Sequence, residues 1–260
     1  RGRTGLEITL AGLGAGGNSR LGLAYGRSEE EASAVVTAAL ELGVGLVDTA
    51  RVYQTEVPVG QALRAWRAAG KRMPYLSSKS PYLDGEGRLL SAVEFRQNIE
   101  TSLRQLQVEC IDIYFIHGLR LDFYEAARQR FLPVLQQARQ EGKLRFCGIT
   151  EAFESDTRHA MLPRALQDDG WDVVMVGFNL LNPSARERVL AKTMQQGTGT
   201  LGMFAVRRAL IDETWLRKLL QRLGEQGEVD ASLAAAPDLL GELGLRQDDL
   251  ERPGCRNLSE

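Results

Sequence analysis

The sequence has few of the residues that metal centres and disulfide frameworks require. It contains three cysteines and two histidines in 260 residues, without the spacing of a zinc site or a disulfide-bonded scaffold. We therefore expect no metal centre and reduced thiols, as in a cytoplasmic protein. No apolar run approaches the roughly 18 residues of a membrane span. The first residues lack the apolar segment of a signal peptide, and the missing initial Met indicates a trimmed chain.

The sequence also lacks an excess of charge of either sign. Lys and Arg number 32, Asp and Glu number 34, and the formal net charge is −2, without a basic block. Because nucleic acids and anionic membranes are bound through dense basic patches, the sequence favours a small-molecule partner over both. The hydrophobic fraction of 43% is typical of a soluble globular protein.

Short apolar segments alternate with amphipathic ones along most of the chain. The apolar segments mostly lack strict alternation, which is typical of strands buried on both faces of a parallel sheet. We expect strands near Ile8–Leu13, Gly45–Asp48, Tyr75–Ser78, Ile111–Ile116, Leu144–Ile149, Val173–Val176 and Thr200–Phe204. From the second strand onwards the repeat is about thirty residues, the size of one βα unit. Such units form a barrel or an open doubly wound sheet, and periodicity does not distinguish the two.

Local signals mark where the intervening helices begin and end. A hydroxyl followed three residues later by a carboxylate forms a capping box, which satisfies unpaired N–H groups at a helix start. Glycine is typical of the position just after a helix. The sequence predicts capping boxes at Ser28 and Glu31, Ser91 and Glu94, and Ser184 and Glu187, with helix ends at Gly43, Gly142 and Gly197.

The C-terminal region departs from the βα pattern. We expect a helix around Trp215–Leu223, but residues 225–260 are polar and helix-favouring, and they contain no convincing eighth strand. Either the barrel is incomplete or part of its C-terminal region is missing from this sequence. We expect residues 1–260 to form a single domain, with residues 225–260 as an atypical tail.

Four polar residues lie at or just after the ends of three consecutive predicted strands. Asp48 ends the second strand, Tyr53 follows it in the loop, Lys79 ends the third strand and His117 ends the fourth. Carboxyl ends of parallel strands meet at one mouth of a barrel, where active sites lie, or at the switch point of an open sheet. Each residue alone has an ordinary structural explanation, so the interpretation depends on their joint placement.

Together these residues could perform acid–base chemistry on a carbonyl group. A tyrosine hydroxyl has an ordinary pKa near ~10, and a nearby lysine cation should lower that pKa. Asp48 would hold the Lys79 ammonium, and His117 could hydrogen-bond the carbonyl oxygen. A hydride donor could then reduce the carbonyl carbon while Tyr53 protonates the oxygen.

The order of these motifs resembles the aldo-keto reductase family. The resemblance runs from about Gly5 to about Leu210, through the segments Val47–Tyr53, Glu56–Leu63, Ser78–Lys79, Ile111–His117, Gly142–Lys143 and Gly148–Thr150. It implies a (β/α)8 TIM barrel, NADP(H) bound across the mouth, and reduction of aldehydes or ketones. It also implies that Asp48, Tyr53, Lys79 and His117 match the family's catalytic tetrad.

The resemblance further implies a set of cofactor-binding positions, two of which depart from the family pattern. Glu151 stands where the family usually has Asn, and Met175 aligns with a frequent Gln. Phe204 fits the aromatic that stacks on the nicotinamide, and Arg207 is placed to reach the pyrophosphate. The full set comprises Gly14, Ala15, Gly16, Asp48, Thr150, Glu151, Met175, Phe204, Ala205 and Arg207.

The sequence leaves three alternatives to the reductase interpretation open. Gly12, Gly14 and Gly17 match the G-x-G-x-x-G dinucleotide motif, but residues 18–27 separate them from the next helix start, against a Rossmann loop. The altered cofactor positions and the tail suit a nucleotide-binding regulatory or partner-binding protein on the same barrel. An unrelated barrel lyase or isomerase would need no nicotinamide.

We expect the second histidine, His159, to lie in a helix with a structural role or exposed to solvent.

Overall fold

The computed structural model describes residues 2–179, 182–205, 213–227, 229–237 and 239. The chain divides into two compact units, Arg1–Met203 and Phe204–Glu260. The single domain expected from the sequence stays a prediction.

The first unit contains a sheet of seven parallel strands, curled into an incomplete barrel. Neighbouring strands follow the order of the chain, from the first to the seventh. Their bounds are β1 Leu13–Gly14, β2 Leu46–Asp48, β3 Tyr75–Ser80, β4 Ile111–Leu119, β5 Leu144–Glu151, β6 Val173–Gly177 and β7 Gly199–Met203. The predicted parallel βα organisation is confirmed, and because all seven carboxyl ends meet at one edge, the predicted site residues are brought to that edge.

The first strand differs most from its predicted range. The sequence places a strand at Ile8–Leu13, whereas the structure begins β1 at Leu13. Leu10 is 95% exposed, so the apolar residues of this segment are not all core residues. The Thr9 hydroxyl donates to the Ala11 carbonyl and accepts from the Gly45 N–H. These side-chain bonds occur where the sequence predicts a sheet ladder.

Helices follow most of the strands of the first unit. Their bounds are α1 Glu29–Glu41, α2 Glu56–Ala68, α3 Ala92–Leu106, α4 Tyr124–Gln140, α5 Met161–Ala165 and α6 Ala191–Gln196. A π-helical segment, Arg186–Leu190, directly precedes α6. In α3 the apolar residues Phe95, Ile99, Leu103 and Leu106 are all buried, which confirms the amphipathic pattern of this segment.

Two of the three predicted capping boxes form. Ser28 and Ser91 each accept from the N–H of the glutamate three residues later, which bonds back to the serine N–H. The capping box predicted at Ser184 was wrong, because that hydroxyl bonds to other side chains and the next helical segment has no side-chain cap. The predicted helix-end glycines, Gly43, Gly142 and Gly197, all adopt positive φ, as expected after a helix.

Adjacent residues of the central strands alternate between two apolar clusters. Ile113 and Phe115 of β4 belong to a small cluster with Met175 of β6. Tyr114 and Ile116 belong to the larger cluster that also includes the helices. Since successive side chains of a strand point to opposite faces, the strands are buried on both sides. This explains why polar and apolar residues do not alternate along these strands.

The second unit contains α7 Glu213–Glu225 and a 3-10 helix, Ala231–Ala235. Leu216 and Leu220 pack with Leu239 in a small buried cluster. The helix predicted around Trp215–Leu223 is confirmed. Among the described residues after Met203 there is no strand, and the predicted helix-favouring segments beyond residue 239 lie outside the described residues.

Candidate active site

Asp48 and Lys79 form an ion pair across the carboxyl ends of β2 and β3. The Lys79 ammonium donates to Asp48 Oδ2 at 2.6 Å and to the Thr49 carbonyl at 2.9 Å. Lys79 is 1% exposed and Asp48 is 18% exposed. A lysine that is nearly removed from water requires such compensation, because an unpaired buried charge is very costly. The pair therefore fixes a positive charge beside the strand ends.

Tyr53 lies over this charge. It ends a short 3-10 helix, Arg51–Tyr53, which begins shortly after β2, and Gln54 then turns the chain with a φ of 60°. The Lys79 ammonium is 4.9 Å from the centre of the Tyr53 ring. Burial raises the pKa of the Tyr53 phenol above its ordinary value, and Lys79 only partly offsets that effect. The lowering of this pKa expected from the sequence is thus present as a contribution, but burial outweighs it.

His117 completes the cluster from β4. Its Nε2 atom lies 3.4 Å from the Tyr53 hydroxyl, and the two rings meet edge to face at 5.3 Å. Burial, together with the nearby Lys79 cation, lowers the pKa of His117 to about 3. The imidazole is therefore neutral at physiological pH. A neutral imidazole can donate one hydrogen bond to a carbonyl oxygen without competing with Tyr53 for the role of acid.

The loop after β1 packs against Tyr53. Ala15 is fully buried, and its N–H donates to the Asp48 carbonyl at 2.7 Å. A Cβ atom at Gly16 would lie 2.5 Å from the Tyr53 ring, whereas Gly14 has open space around it. Glycine at position 16 therefore lets the backbone approach the tyrosine. Of the predicted cofactor residues, Gly14, Ala15 and Gly16 lie beside the tetrad.

Thr150 and Met175 lie on β5 and β6 and are paired in register. The buried Thr150 hydroxyl accepts from the Gly118 N–H at 2.6 Å, so its proton remains available to donate to an amide oxygen. Met175 is 5% exposed and packs with Ile113 and Phe115. Thr150 fits the carboxamide of a nicotinamide, whereas Met175 offers only apolar contact.

Glu151 is held by protein groups. Its Oε1 atom accepts from the Gly177 N–H at 2.7 Å and lies 2.9 Å from His159 Nδ1. Glu151 is 2% exposed and His159 is 0% exposed. The expectation that His159 lies in a helix was wrong, because it lies in the loop between β5 and α5 with a φ of 58°. Its structural role is that of a buried partner of Glu151.

The remaining predicted cofactor residues follow β7. Phe204 is 38% exposed and has a φ of 59°, and Ala205 is the next residue. Arg207, the predicted pyrophosphate ligand, lies outside the described residues.

The structure adds partners that the sequence analysis missed. Ser77 Oγ donates to Asp48 Oδ1 at 2.6 Å, and Ser78 Oγ donates to the buried Glu56 at 2.6 Å. Glu56 also pairs with Arg51 at 2.8 Å, in the turn that carries Tyr53. The alternation of side chains along β3 could have predicted these contacts. Ser77 and Lys79 lie on one face of the strand, and Ser78 lies on the opposite face.

The chain matches the model described as "Aldo/keto reductase family" over residues 12–224. This match covers most of the chain, which therefore belongs to the aldo/keto reductase family. L-Galactose dehydrogenase of Arabidopsis thaliana is 34% identical over 153 residues, which are 57% of this chain and 46% of the relative. Aldo-keto reductase YhdN of Bacillus subtilis (strain 168) is 28% identical over 199 residues, 72% of this chain and 55% of the relative. The chain thus spans about half the length of these curated relatives.

Solved structures agree with this fold. The holo form of aldo-keto reductase AKR11C1 from Bacillus halodurans matches with a TM-score of 0.63 and 23% identity, covering 77% of this chain and 63% of the other. The Bombyx mori aldo-keto reductase AKR2E4, solved in complex with NADP, has a TM-score of 0.60 and 20% identity, covering 87% and 80%. At these identities the likeness shows the fold alone.

Within the described ranges, no three His, Cys, Asp or Glu side chains are grouped so that they could hold a metal ion. No helix in the described part of the chain has both the length and the apolar character of a membrane span.

Proposed function

We propose that the protein is an NADP(H)-dependent oxidoreductase that reduces aldehydes or ketones to alcohols, with Tyr53 as the proton donor. The observation that carries this proposal is the position of the Tyr53 hydroxyl, 3.4 Å from His117 Nε2 and above the ion pair of Lys79 with Asp48. A phenol, a neutral imidazole and a fixed cation around one point are suited to polarising and protonating a carbonyl oxygen.

Each member of the tetrad has a separate role in this proposal. Tyr53 remains protonated at neutral pH because burial raises its pKa, and it gives its proton to the carbonyl oxygen. His117 is neutral and hydrogen-bonds the same oxygen. Lys79 stabilises the phenolate that Tyr53 becomes. Asp48 keeps the lysine ammonium in place through the 2.6 Å bond.

The residues around Tyr53 fit the nicotinamide end of the cofactor. NADPH would supply the hydride for the carbonyl carbon. The Thr150 hydroxyl can donate to the carboxamide oxygen, and Gly16 allows the backbone to lie close to Tyr53. We also propose cofactor contacts for the other positions implied by the family resemblance, namely Gly14, Ala15, Asp48, Glu151, Met175, Phe204, Ala205 and Arg207.

A second candidate function is a regulatory or partner-binding protein that binds the nucleotide with little or no turnover. One observation favours it. The Glu151 carboxylate is occupied by His159 and Gly177. A carboxylate bound in this way is a weaker partner for a carboxamide than the Asn that the family usually has.

The test is a fluorescence titration with NADPH and with NADH, followed by turnover of 4-nitrobenzaldehyde measured from the loss of NADPH absorbance. We expect Tyr53→Phe to bind NADPH like the wild type but to lose roughly 10²- to 10⁴-fold in turnover, the usual contribution of a general acid. Tyr25→Phe is the matched control, because Tyr25 is 72% exposed, and it should behave like the wild type.

The outcomes separate the two candidates. Binding with turnover that falls only in Tyr53→Phe supports the reductase. Binding without turnover in the wild type supports the regulatory protein. Turnover that survives in Tyr53→Phe would show that another group donates the proton.

A further inference from the structure

A second cluster of nucleophilic and titratable side chains lies at the end of β5 and in the loops after β5 and β6. Glu151 is the last residue of β5, His159 lies in the loop that follows, and Ser184 precedes the π-helical segment. His159 Nδ1 lies 2.9 and 3.0 Å from the two carboxylate oxygens of Glu151. Its Nε2 lies 3.0 Å from Ser184 Oγ. The imidazole therefore bridges a carboxylate and a hydroxyl through its two opposite nitrogens.

Neighbouring groups hold both Glu151 and His159 in place. Glu151 Oε1 also accepts from the Gly177 N–H at 2.7 Å, so the end of β6 orients the carboxylate. The Phe153 ring stacks on the His159 ring at 5.7 Å and 27°. His159 has a φ of 58°, a conformation that costs free energy for a residue other than glycine. The surrounding contacts must therefore stabilise the imidazole in this one orientation.

The hydroxyl side reaches the surface. Ser184 is partly exposed. Its hydroxyl can donate to Asn182 Oδ1 at 2.5 Å and to the Thr157 carbonyl at 3.4 Å, so its proton must leave these acceptors before it can pass to His159. The next residue in the chain is Ala185. In hydrolases with a serine nucleophile, the N–H of the following residue commonly binds the oxyanion.

We propose that Ser184, His159 and Glu151 form a nucleophilic site that transfers acyl groups from small esters. The proposal goes beyond the reductase function, since it uses neither Tyr53 nor the nicotinamide. A serine bonded to a histidine, which is bonded in turn to a carboxylate, is the arrangement that activates a hydroxyl for attack on a carbonyl carbon. The same arrangement occurs on unrelated folds, so its recognition depends on geometry.

The reaction would proceed in two steps. Ser184 Oγ forms a bond to the ester carbonyl carbon, its proton passes to His159 Nε2, and the ester C–O bond breaks as the alcohol leaves with that proton. Water then attacks the acyl carbon and gives a proton to His159. The bond between Ser184 Oγ and the acyl carbon breaks, the proton passes from His159 to Ser184 Oγ, and the carboxylic acid leaves. Glu151 stabilises the imidazolium in both steps.

The protonation state of Glu151 sets the direction of the hydrogen bonds. Burial raises the pKa of Glu151 to about 8, and burial lowers the pKa of His159. The charged groups facing the pair are Asp156, which raises both pKa values, and Arg188, which lowers that of His159. Only the ionised Glu151 accepts from His159 Nδ1–H and leaves Nε2 to accept the serine proton. Reactivity should therefore rise with pH through about 8.

The test uses the whole protein without cofactor, an alkyl fluorophosphonate probe, and p-nitrophenyl acetate. We expect one probe molecule per chain, mapped to Ser184 by mass spectrometry of peptides, and a labelling rate that rises between pH 6.5 and 8. Ser184→Ala should not be labelled. His159→Asn and Glu151→Gln should slow labelling and ester cleavage by roughly 10²-fold, as expected when a general base is lost.

Ser155→Ala is the matched control, because Ser155 is an exposed serine of the same loop, and it should label at the wild-type rate. The pH profile of the wild type needs no substitution, so it decides the question even where a variant fails to fold. A folded wild type that is not labelled, or is labelled at another residue, would overturn the proposal. Labelling of Ser184 that is independent of pH, His159 and Glu151 would also overturn it. The assay contains no NADP(H), so its result is separate from that of the reductase test.

Discussion

Two buried acid–base pairs lie at the carboxyl ends of the strands, and they differ in kind. Asp48 and Lys79 join β2 to β3 through a 2.6 Å ion pair. Glu151 and His159 join β5 to its following loop through a 2.9 Å bond. The first pair holds a charge of each sign beside Tyr53. The second can hold one proton and no net charge, because burial raises the pKa of the acid and lowers that of the base.

The difference separates the two halves of the barrel. In the half from β2 to β4, the buried charges match the residues that the family resemblance assigns to catalysis, and they surround a single tyrosine. In the half from β5 to β7, the family's usual amide is replaced by Glu151, whose oxygens are occupied by protein groups. The first half contains the residues that the resemblance assigns to the family's tetrad, whereas the second half contains a hydrogen-bonded cluster around Glu151.

The largest effect on stability is expected from breaking the first pair. Lys79→Met leaves the Asp48 carboxylate without its cation, and removing one partner of a buried ion pair costs about 3–5 kcal/mol. Ser77 would still donate to Asp48, but a neutral hydroxyl does not replace a charge. Urea unfolding followed by circular dichroism would measure the loss in the free energy of unfolding.

Lys71→Met is the control for this substitution. Lys71 pairs with Glu41 on the surface, where the two side chains are 40% and 56% exposed, and such pairs contribute about 0–1 kcal/mol. Equal losses in both variants would show that Lys79 is not held as a buried charge, and the contrast between the two pairs would then fail.

A smaller effect is expected from breaking the second pair. His159→Asn keeps a residue that tolerates the left-handed conformation, but it removes the bonds to Glu151 and Ser184. We expect a loss of about 1–3 kcal/mol, the cost of unsatisfied buried polar groups, because Glu151 can take up a proton and avoid a buried charge. The exposed neighbour Arg158 provides the control, since Arg158→Ala should change the free energy of unfolding by less than about 0.5 kcal/mol. A loss as large as that of Lys79→Met would indicate that Glu151 stays ionised.

The sequence could predict the first pair but not the second, for a physical reason. Asp48 and Lys79 end adjacent parallel strands, and such ends meet in every barrel or doubly wound sheet. Their contact follows from the βα repeat alone. Glu151 ends β5, but His159 and Ser184 come from two irregular loops. The path of the first loop depends on a positive φ at His159 and on packing against Phe153. No periodic pattern encodes that path.

The same limit explains the individual errors. The Ser184 capping box was predicted from a local pattern of residues, but a tertiary contact with His159 competes for the hydroxyl. The predicted lowering of the Tyr53 pKa considered the neighbouring charge but not the degree of burial, which has the larger effect. Both errors concern tertiary surroundings, whereas the two N-terminal capping boxes depend on local sequence.

The pH dependence of stability provides the finest test of the contrast between the pairs. Burial raises the pKa of Glu151 from 4.5 to about 8, so between these values the folded protein holds a proton that the unfolded chain has lost. Its contribution is present at low pH and is lost as pH rises through about 8. The lowered pKa values of His159 and His117, ordinarily 6.5, have the opposite effect, which fades above pH 6.5 as the unfolded histidines lose their protons.

The Glu151 contribution therefore dominates between pH 6.5 and 8, and the free energy of unfolding should fall there by at most about 1.4 kcal/mol per pH unit. Urea unfolding of the wild type at several pH values would measure this slope. Glu151→Gln should remove it, because glutamine does not titrate, whereas Lys79→Met should leave it unchanged. A wild type whose stability does not change across this window would mean that folding does not keep a proton on Glu151. The contrast between the two buried pairs would then fail.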